Sequence, residues 1–285
     1  MQTLEDPSSP AGTEDALFAV DRFAGVFDGA TSVVGPSTGP GPGAIAATVA
    51  RDVFAAGGER PLVDLASDAN ERIAEVMAAA RVDRSKPENR WGTTVAAVRL
   101  VGAEAIDWVS IGDSIIVVVQ EDGTFRPLVR LYDHDRTTKR LVAALGGPVA
   151  GRRERLQSDL LAVRSRANVE YGVLNGEPAA RAFVAHGREP LDGVEHVLVF
   201  TDGLLVPRAD PDGEDDLAPI VSRFVAGGLA SARDFVRALE EGDPNCTKYP
   251  RLKMHDDIAA VALTLASTRE PGHGRRRAMN FTERI

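Results

Sequence analysis

Apolar residues in this chain gather into short runs rich in Val, Ile, Phe and Ala, set apart by polar turns and by stretches of helical spacing. Ala16–Val20 and Phe23–Phe27 are separated only by Asp21-Arg22, which predicts a two-stranded hairpin. Runs over 92–100, 104–111, 115–119 and 125–129, with Glu121-Asp122-Gly123 as one of the turns, predict an antiparallel meander. Runs over 194–201 and 257–265 are almost continuously apolar, as buried strands are. Helical spacing covers 44–56 and 60–81, the second with Leu62, Leu65, Ile73, Val76 and Met77 towards the core, and recurs over 178–185, 217–226 and 230–240. The Gly/Pro stretch 35–43 predicts a loop, and 241–255 a second one. Residues 130–193 are the least legible part, Arg-rich through Arg152, Arg153, Arg155, Arg164 and Arg166. Antiparallel strand runs with paired helices between them predict a layered α+β fold, helices covering the outer faces of antiparallel sheets, and argue against a doubly wound parallel sheet.

Composition narrows the setting. A chain of 285 residues suits one large domain or two small ones, and 44% hydrophobic content is enough to bury a core. Residues 1–12 read as a flexible lead, 13–268 as the folded domain, and 269–285, with Arg275-Arg276-Arg277, as a basic flexible tail. The net charge of −9 gives no counterion-release gain on nucleic acid, so DNA or RNA is not expected as a partner. The acid excess fits divalent-cation binding and equally fits ordinary solubility. Cys246 is the single cysteine, which rules out an internal disulfide and favours a reducing compartment. No apolar run approaches the roughly 18 residues of a membrane span, and the polar, acidic start is unlike a signal peptide. A soluble cytoplasmic protein with no membrane partner is the expectation.

The ends of the apolar runs carry the candidate chemistry. The run 24–27 meets Asp28-Gly29, 108–111 meets Gly112-Asp113, 197–201 meets Asp202-Gly203, and Asp256-Asp257 opens the last run. A carboxylate at the end of a buried strand is costly to desolvate unless something pairs with it. Four such acids suggest hard cations, which take oxygen ligands. Glu14 and Asp15 fall beside Asp28 if the first two strands pair. Any single Asp-Gly at a strand end reads as a turn; the joint order is what carries weight.

In that order, Glu14-Asp15-Ala16, the run 23–29 (FAGVFDG), Gly92-Thr93-Thr94, Gly112-Asp113-Ser114, Phe200-Thr201-Asp202-Gly203 and Asp256-Asp257-Ile258-Ala259-Ala260-Val261 span roughly residues 13–266. With these six pieces in register the chain resembles the metal-dependent protein phosphatases, the PPM or type 2C family. The resemblance implies a four-layer sandwich, two antiparallel β-sheets flanked by α-helix pairs. It implies two Mg²⁺ or Mn²⁺ ions, with a third held more weakly. Asp28 would bridge the two ions, Asp202 and Asp256 would complete one, and Glu14 and the Gly29 carbonyl would bind the other, with Asp15 beside them. Asp113 matches the acid that helps hold the third ion. Asp28, Asp202 and Asp256 would thereby hold a metal-activated water for in-line attack on phosphorus. The implied reaction is hydrolysis of phosphoserine and phosphothreonine in proteins.

The chain departs from the family pattern at three places. The family carries His after its Asp-Gly, thought to protonate the leaving group, and here Ala30 follows Gly29. The family often has a phosphate-gripping Arg a few residues before the acid pair, and here that stretch is Ser8-Ser9-Pro10-Ala11. Asp257 stands where the family usually has Asn, as an extra ligand or as a group behind the ligands. His255, next to Asp256, is a candidate to replace the His, and Arg22 or Arg90 to replace the Arg. The departures keep two other readings open: a phosphatase or phosphodiesterase on a small molecule or nucleotide, and a weakly active regulatory pseudophosphatase that binds a partner. Retention of the acids argues against the last. A haloacid-dehalogenase-type phosphatase is excluded, because Val26 occupies the position its nucleophilic Asp would need.

Overall fold

A computed structural model describes residues 1–9, 12–31, 40–129, 136–146 and 149–265. Ten strands among them form two five-stranded antiparallel sheets. One has the order β1 (Gln2–Asp6), β10 (Ile258–Thr264), β9 (Val194–Phe200), β6 (Ile115–Gln120), β7 (Phe125–Pro127). The other has the order β2 (Ala16–Val20), β3 (Phe23–Phe27), β4 (Val95–Val101), β5 (Ala105–Ile111), β8 (Ala185–Pro190).

The near-continuous apolar runs are explained by burial on both faces. Along β6, Ile115, Val117 and Val119 join one core cluster while Ile116 and Val118 join another. Along β10, Ile258, Ala260 and Ala262 alternate in the same way with Ala259, Val261 and Leu263. Successive side chains point to opposite faces of a strand, so a central sheet with cover on both sides has no polar phase. The shared cluster lies between the two sheets. The outer face of the β2–β3–β4–β5–β8 sheet is covered by α1 (Pro42–Ala55) and α2 (Leu62–Ala79), whose Phe54, Leu65, Ile73 and Met77 pack on Phe27, Val95 and Val109. The outer face of the other sheet is covered by α6 (Ala218–Glu241), through Ile220, Phe224, Leu229 and Val236. The expected sandwich of two antiparallel sheets flanked by helices is the observed fold.

Several elements differ from the sequence reading. Residues 2–6, expected as part of a flexible lead, form β1 and pair with β10 in register Asp6↔Ile258. This edge strand is mostly polar and exposed, so hydrophobic pattern could not announce it. The expected helix over 178–185 is a 3₁₀ turn over Pro178–Phe183, followed by β8, which pairs with β5 and sets Gly187 opposite Trp108. The helices read over 217–226 and 230–240 are the two arms of α6, broken at Gly227 and Gly228, where Gly228 has φ 75°. The illegible middle contains α3 (Arg136–Leu145), α4 (Arg152–Arg155) and α5 (Gln157–Arg164), joined through Val142, Leu156 and Leu160 in a small core of their own. Residues 35–39 of the predicted loop and the predicted tail lie outside the described residues. No helix among the described residues is long and apolar enough to cross a membrane.

Candidate metal centre

The β2–β3 register, Ala16↔Phe27, brings Asp15 and Asp28 out at the same end of that hairpin. Asp28 is then held by its neighbours in the sheet. Its carbonyl accepts the Thr94 N–H at 2.9 Å and the Thr93 hydroxyl at 2.8 Å. Thr94 Oγ1 in turn hydrogen-bonds Ser114 Oγ at 2.6 Å. The Thr93-Thr94 and Asp113-Ser114 motifs therefore interlock beneath Asp28. A Cβ on Gly29 would run into the Glu14 carbonyl oxygen and the Gly43 backbone, so only glycine lets the hairpin meet the first turn of α1. A Cβ on Gly203 would run into the Asp257 carbonyl oxygen, so the second Asp-Gly serves the approach of the β9 end to the start of β10.

Six carboxylates converge electrostatically at this end of the molecule. Burial pushes the Asp28 carboxyl well above its ordinary range, and Asp15, Asp113 and Asp256 push it further, while a hydrogen bond shared with Asp202 opposes the rise. Burial likewise raises Asp15; the Thr201 hydroxyl, donated to Asp15 Oδ2 at 2.7 Å, opposes the rise, while Asp256, Asp257 and Asp202 add to it. Asp28, Gly29, Ala30, Asp113, Asp202 and Asp256 line one open cleft of about 250 Å³. Like charges crowded at low dielectric call for a cation, and the donors are all oxygens, the set that suits Mg²⁺ or Mn²⁺. Among the described residues, no three His, Cys, Asp or Glu side chains stand close enough to chelate an ion as they lie. Glu14 touches the site through its backbone: its carbonyl abuts Gly29 and its N–H is bound by Asp257.

Asp257 is an organiser behind the cluster. One of its oxygens accepts the Ser8 N–H at 2.6 Å and the other the Glu14 N–H at 2.8 Å. Burial alone would raise its pKa, but the Glu14 and Ser8 bonds, with Lys253 nearby, hold it below the ordinary carboxylate value. The last strand thus fastens the segment that leads into Glu14 and Asp15.

The family profile described as protein phosphatase 2C matches residues 13–240, most of the chain. The chain belongs to the protein phosphatase 2C family. It is, as a member, a phosphatase with the family's general activity on Ser/Thr phosphate in proteins. The fold agrees with solved phosphatases of low identity. The catalytic domain of serine/threonine phosphatase PstP with two manganese ions is 17% identical, with 93% of this chain and 97% of that one covered and a TM-score of 0.56. The Mycobacterium tuberculosis phosphatase PstP/Ppp is 19% identical over 93% and 97%, TM-score 0.55. The Mycobacterium smegmatis phosphatase MsPP with cacodylate is 20% identical over 93% and 97%, TM-score 0.51. No curated protein matches the chain.

Within a protein phosphatase 2C fold, the residues considered as replacements fall as follows. Arg90 is paired with Glu177 at 2.6 Å. Arg22 sits in the β2–β3 turn, at the far end of the hairpin from Asp28. His255 Nδ1 is bonded to Glu240 Oε2 at 2.9 Å. Other cations line the cleft that the sequence did not single out: Lys139, Arg153, Arg164, Arg251 and Lys253. Arg164 and Arg153 both donate to the Thr31 carbonyl, at 2.8 and 3.5 Å. The Arg-rich composition of 130–193 was visible, but without periodicity it could not be placed against the acids. Lys253 lay three residues from Asp256, the only signal that could have marked it.

Proposed function

We propose that this chain hydrolyses phosphoserine and phosphothreonine in proteins at a dinuclear Mg²⁺ or Mn²⁺ centre. The observation that carries the reading is the gathering of buried Asp15 and half-buried Asp28 among the charges of Asp113, Asp202 and Asp256, where the ends of both sheets meet at one cleft. In this reading Asp28, Asp202, Asp256, Asp15, Glu14 and the Gly29 carbonyl would hold the two ions, and Asp113 would help hold a third, weaker one. When bound, such ions supply an activated water for in-line attack on phosphorus and offset charge on the phosphoryl oxygens. The chain's own part is to fix the donors: Thr93 and Thr94 set the Asp28 backbone, Thr201 aims Asp15, and Asp257 anchors Glu14.

Ala30 at the cleft wall favours a second reading for substrate choice, a small phosphomonoester whose leaving group needs no proton. A missing general acid costs about 10²–10⁴-fold where protonation is required. The test is turnover of an aryl phosphate and of a phosphothreonine peptide with Mn²⁺, with EDTA, and with Asp28→Asn. Metal-dependent hydrolysis of both is expected. Asp28→Asn should lose about 100-fold or more, since loss of a direct ligand exceeds the 10–100-fold typical of groups behind the ligands. Cleavage of the aryl phosphate alone would select the small-molecule reading. Mn²⁺ binding without turnover would select the pseudophosphatase, and absence of Mn²⁺ binding would overturn the metal site.

A further inference from the structure

Lys253 places an ammonium among the acids. Its Nζ lies 2.6 Å from Asp256 Oδ1, and its side chain is 38% exposed. The same Oδ1 accepts the Asp257 N–H at 2.9 Å, so one oxygen of Asp256 is committed to the protein and Oδ2 is left for an ion. An ammonium has three N–H donors, and Asp256 takes one. The remaining two can be used in the cleft that Lys253 lines.

The segment presenting Lys253 is held firmly. Arg251 donates to the carbonyls of Glu240 and Asp243 at 3.0 Å each, and to Met254 at 3.1 Å. Asp243 accepts the N–H groups of Thr247 at 3.0 Å, Lys248 at 3.2 Å and Tyr249 at 2.8 Å.

A phosphate monoester dianion entering this cleft meets Asp28, Asp113, Asp202 and Asp256. Beside the ions those acids would hold, a fixed N–H donor can orient its phosphoryl oxygens. Arg90 is held by Glu177, and Arg164 and Arg153 are directed at the Thr31 carbonyl. We propose that Lys253, steered by Asp256 Oδ1, is the residue that grips the substrate's phosphoryl oxygens in this chain. The inference rests on the phosphatase reading and supplies that site with its phosphate contact.

The test compares wild type, Lys253→Met and Lys253→Arg as Mn²⁺-loaded full chains. Orthophosphate binding is read directly by calorimetry and as inhibition of aryl-phosphate turnover; Mn²⁺ affinity and melting temperature are read alongside. Lys253→Met should weaken orthophosphate binding and raise KM by about tenfold or more, the value of one hydrogen bond to a charged group, without weakening Mn²⁺. Lys253→Arg should restore most of the loss and also shows whether a fall in the Met variant comes from misfolding. Orthophosphate binding unchanged in Lys253→Met would overturn the proposal and leave Lys253 a counter-ion of the acids. Parallel loss of Mn²⁺ and phosphate would also overturn it. If wild type binds orthophosphate and Lys253→Met does not, yet neither turns over, the Lys253 inference stands while the catalytic reading fails. A wild type that binds no orthophosphate, with or without Mn²⁺, overturns the inference itself.

Discussion

Replacing Asp257 by asparagine keeps the shape of the side chain and removes one acceptor. In the native structure both oxygens are in use, one on the Ser8 N–H at 2.6 Å and one on the Glu14 N–H at 2.8 Å. Asparagine has one carbonyl oxygen, so its NH₂ must face the other N–H. Losing a charge-assisted bond and leaving a donor without an acceptor costs about 1–3 kcal/mol. Ser8 and Glu14 are only half-buried, so water reaches them and the lower half of that range applies. With about 2–4 °C per kcal/mol for domains approaching this size, Asp257→Asn should melt about 2–8 °C below wild type at pH 7. The pH dependence has a fixed sign. The Asp257 pKa is depressed on folding, so its contribution is complete above the ordinary value of 3.8 and is lost as pH falls through the lower folded-state value. The gap between wild type and variant should therefore close in acid. Calorimetric melts from pH 7 down to pH 3 measure it. Mn²⁺ titration should show about 10–100-fold weaker binding, because the segment bearing Glu14 and Asp15 is released. Equal melting temperatures at pH 7, or a gap that widens in acid, would refute the reasoning.

Two further outcomes are expected. Burial tends to raise the Asp243 pKa, but the N–H groups of Tyr249, Thr247 and Lys248 and the Arg251 guanidinium bring it to about 2. Asp243→Asn should then destabilise by about 2 kcal/mol at pH 7, a loss that fades as pH falls from about 4 to about 2, read by urea titration at several pH values. Gly203→Ala should cost about 1–3 kcal/mol or more, because its Cβ would displace the Asp257 carbonyl. Thermal melts together with Mn²⁺ titration check it, and an unperturbed Mn²⁺ affinity would show that the approach of β9 to β10 does not set the site.

The central strands were legible because hydrophobicity reports burial. Ala16–Val20 and Phe23–Phe27 emerged with their observed limits, both being short and bounded by polar turns. Edge strands carry no such signal. Gln2–Asp6 is mostly exposed, and its placement follows from partners far along the chain: Arg237 bonds Asp6 Oδ2 at 2.7 Å, and Gln2 Oε1 accepts the Leu229 N–H at 3.3 Å. Ala185–Pro190 is likewise a polar edge, fixed by pairing with β5. At the site, Asp28, Asp113, Asp202 and Asp256 could be singled out because a carboxylate against an apolar run is conspicuous. The work of Asp257 could not be, since its partners are backbone N–H groups 249 and 243 positions away. The same holds for Lys253, whose meaning depends on which oxygen of Asp256 it occupies.

The acids do not belong to one sheet. Asp15 and Asp28 leave β2 and β3 of one sheet, while Asp202 and Asp256 flank β9 and β10 of the other, and Asp113 lies on the crossing from β5 to β6. An ion shared among them would act as a clasp across the mouth of the sandwich. Its occupancy would then enter the folding equilibrium: free ion at a hundred times its dissociation constant would add about 2.7 kcal/mol to the folded state. Chelation would ease the two sheets apart at this end first, so supply of a divalent ion would govern how long the molecule survives as well as how fast it works.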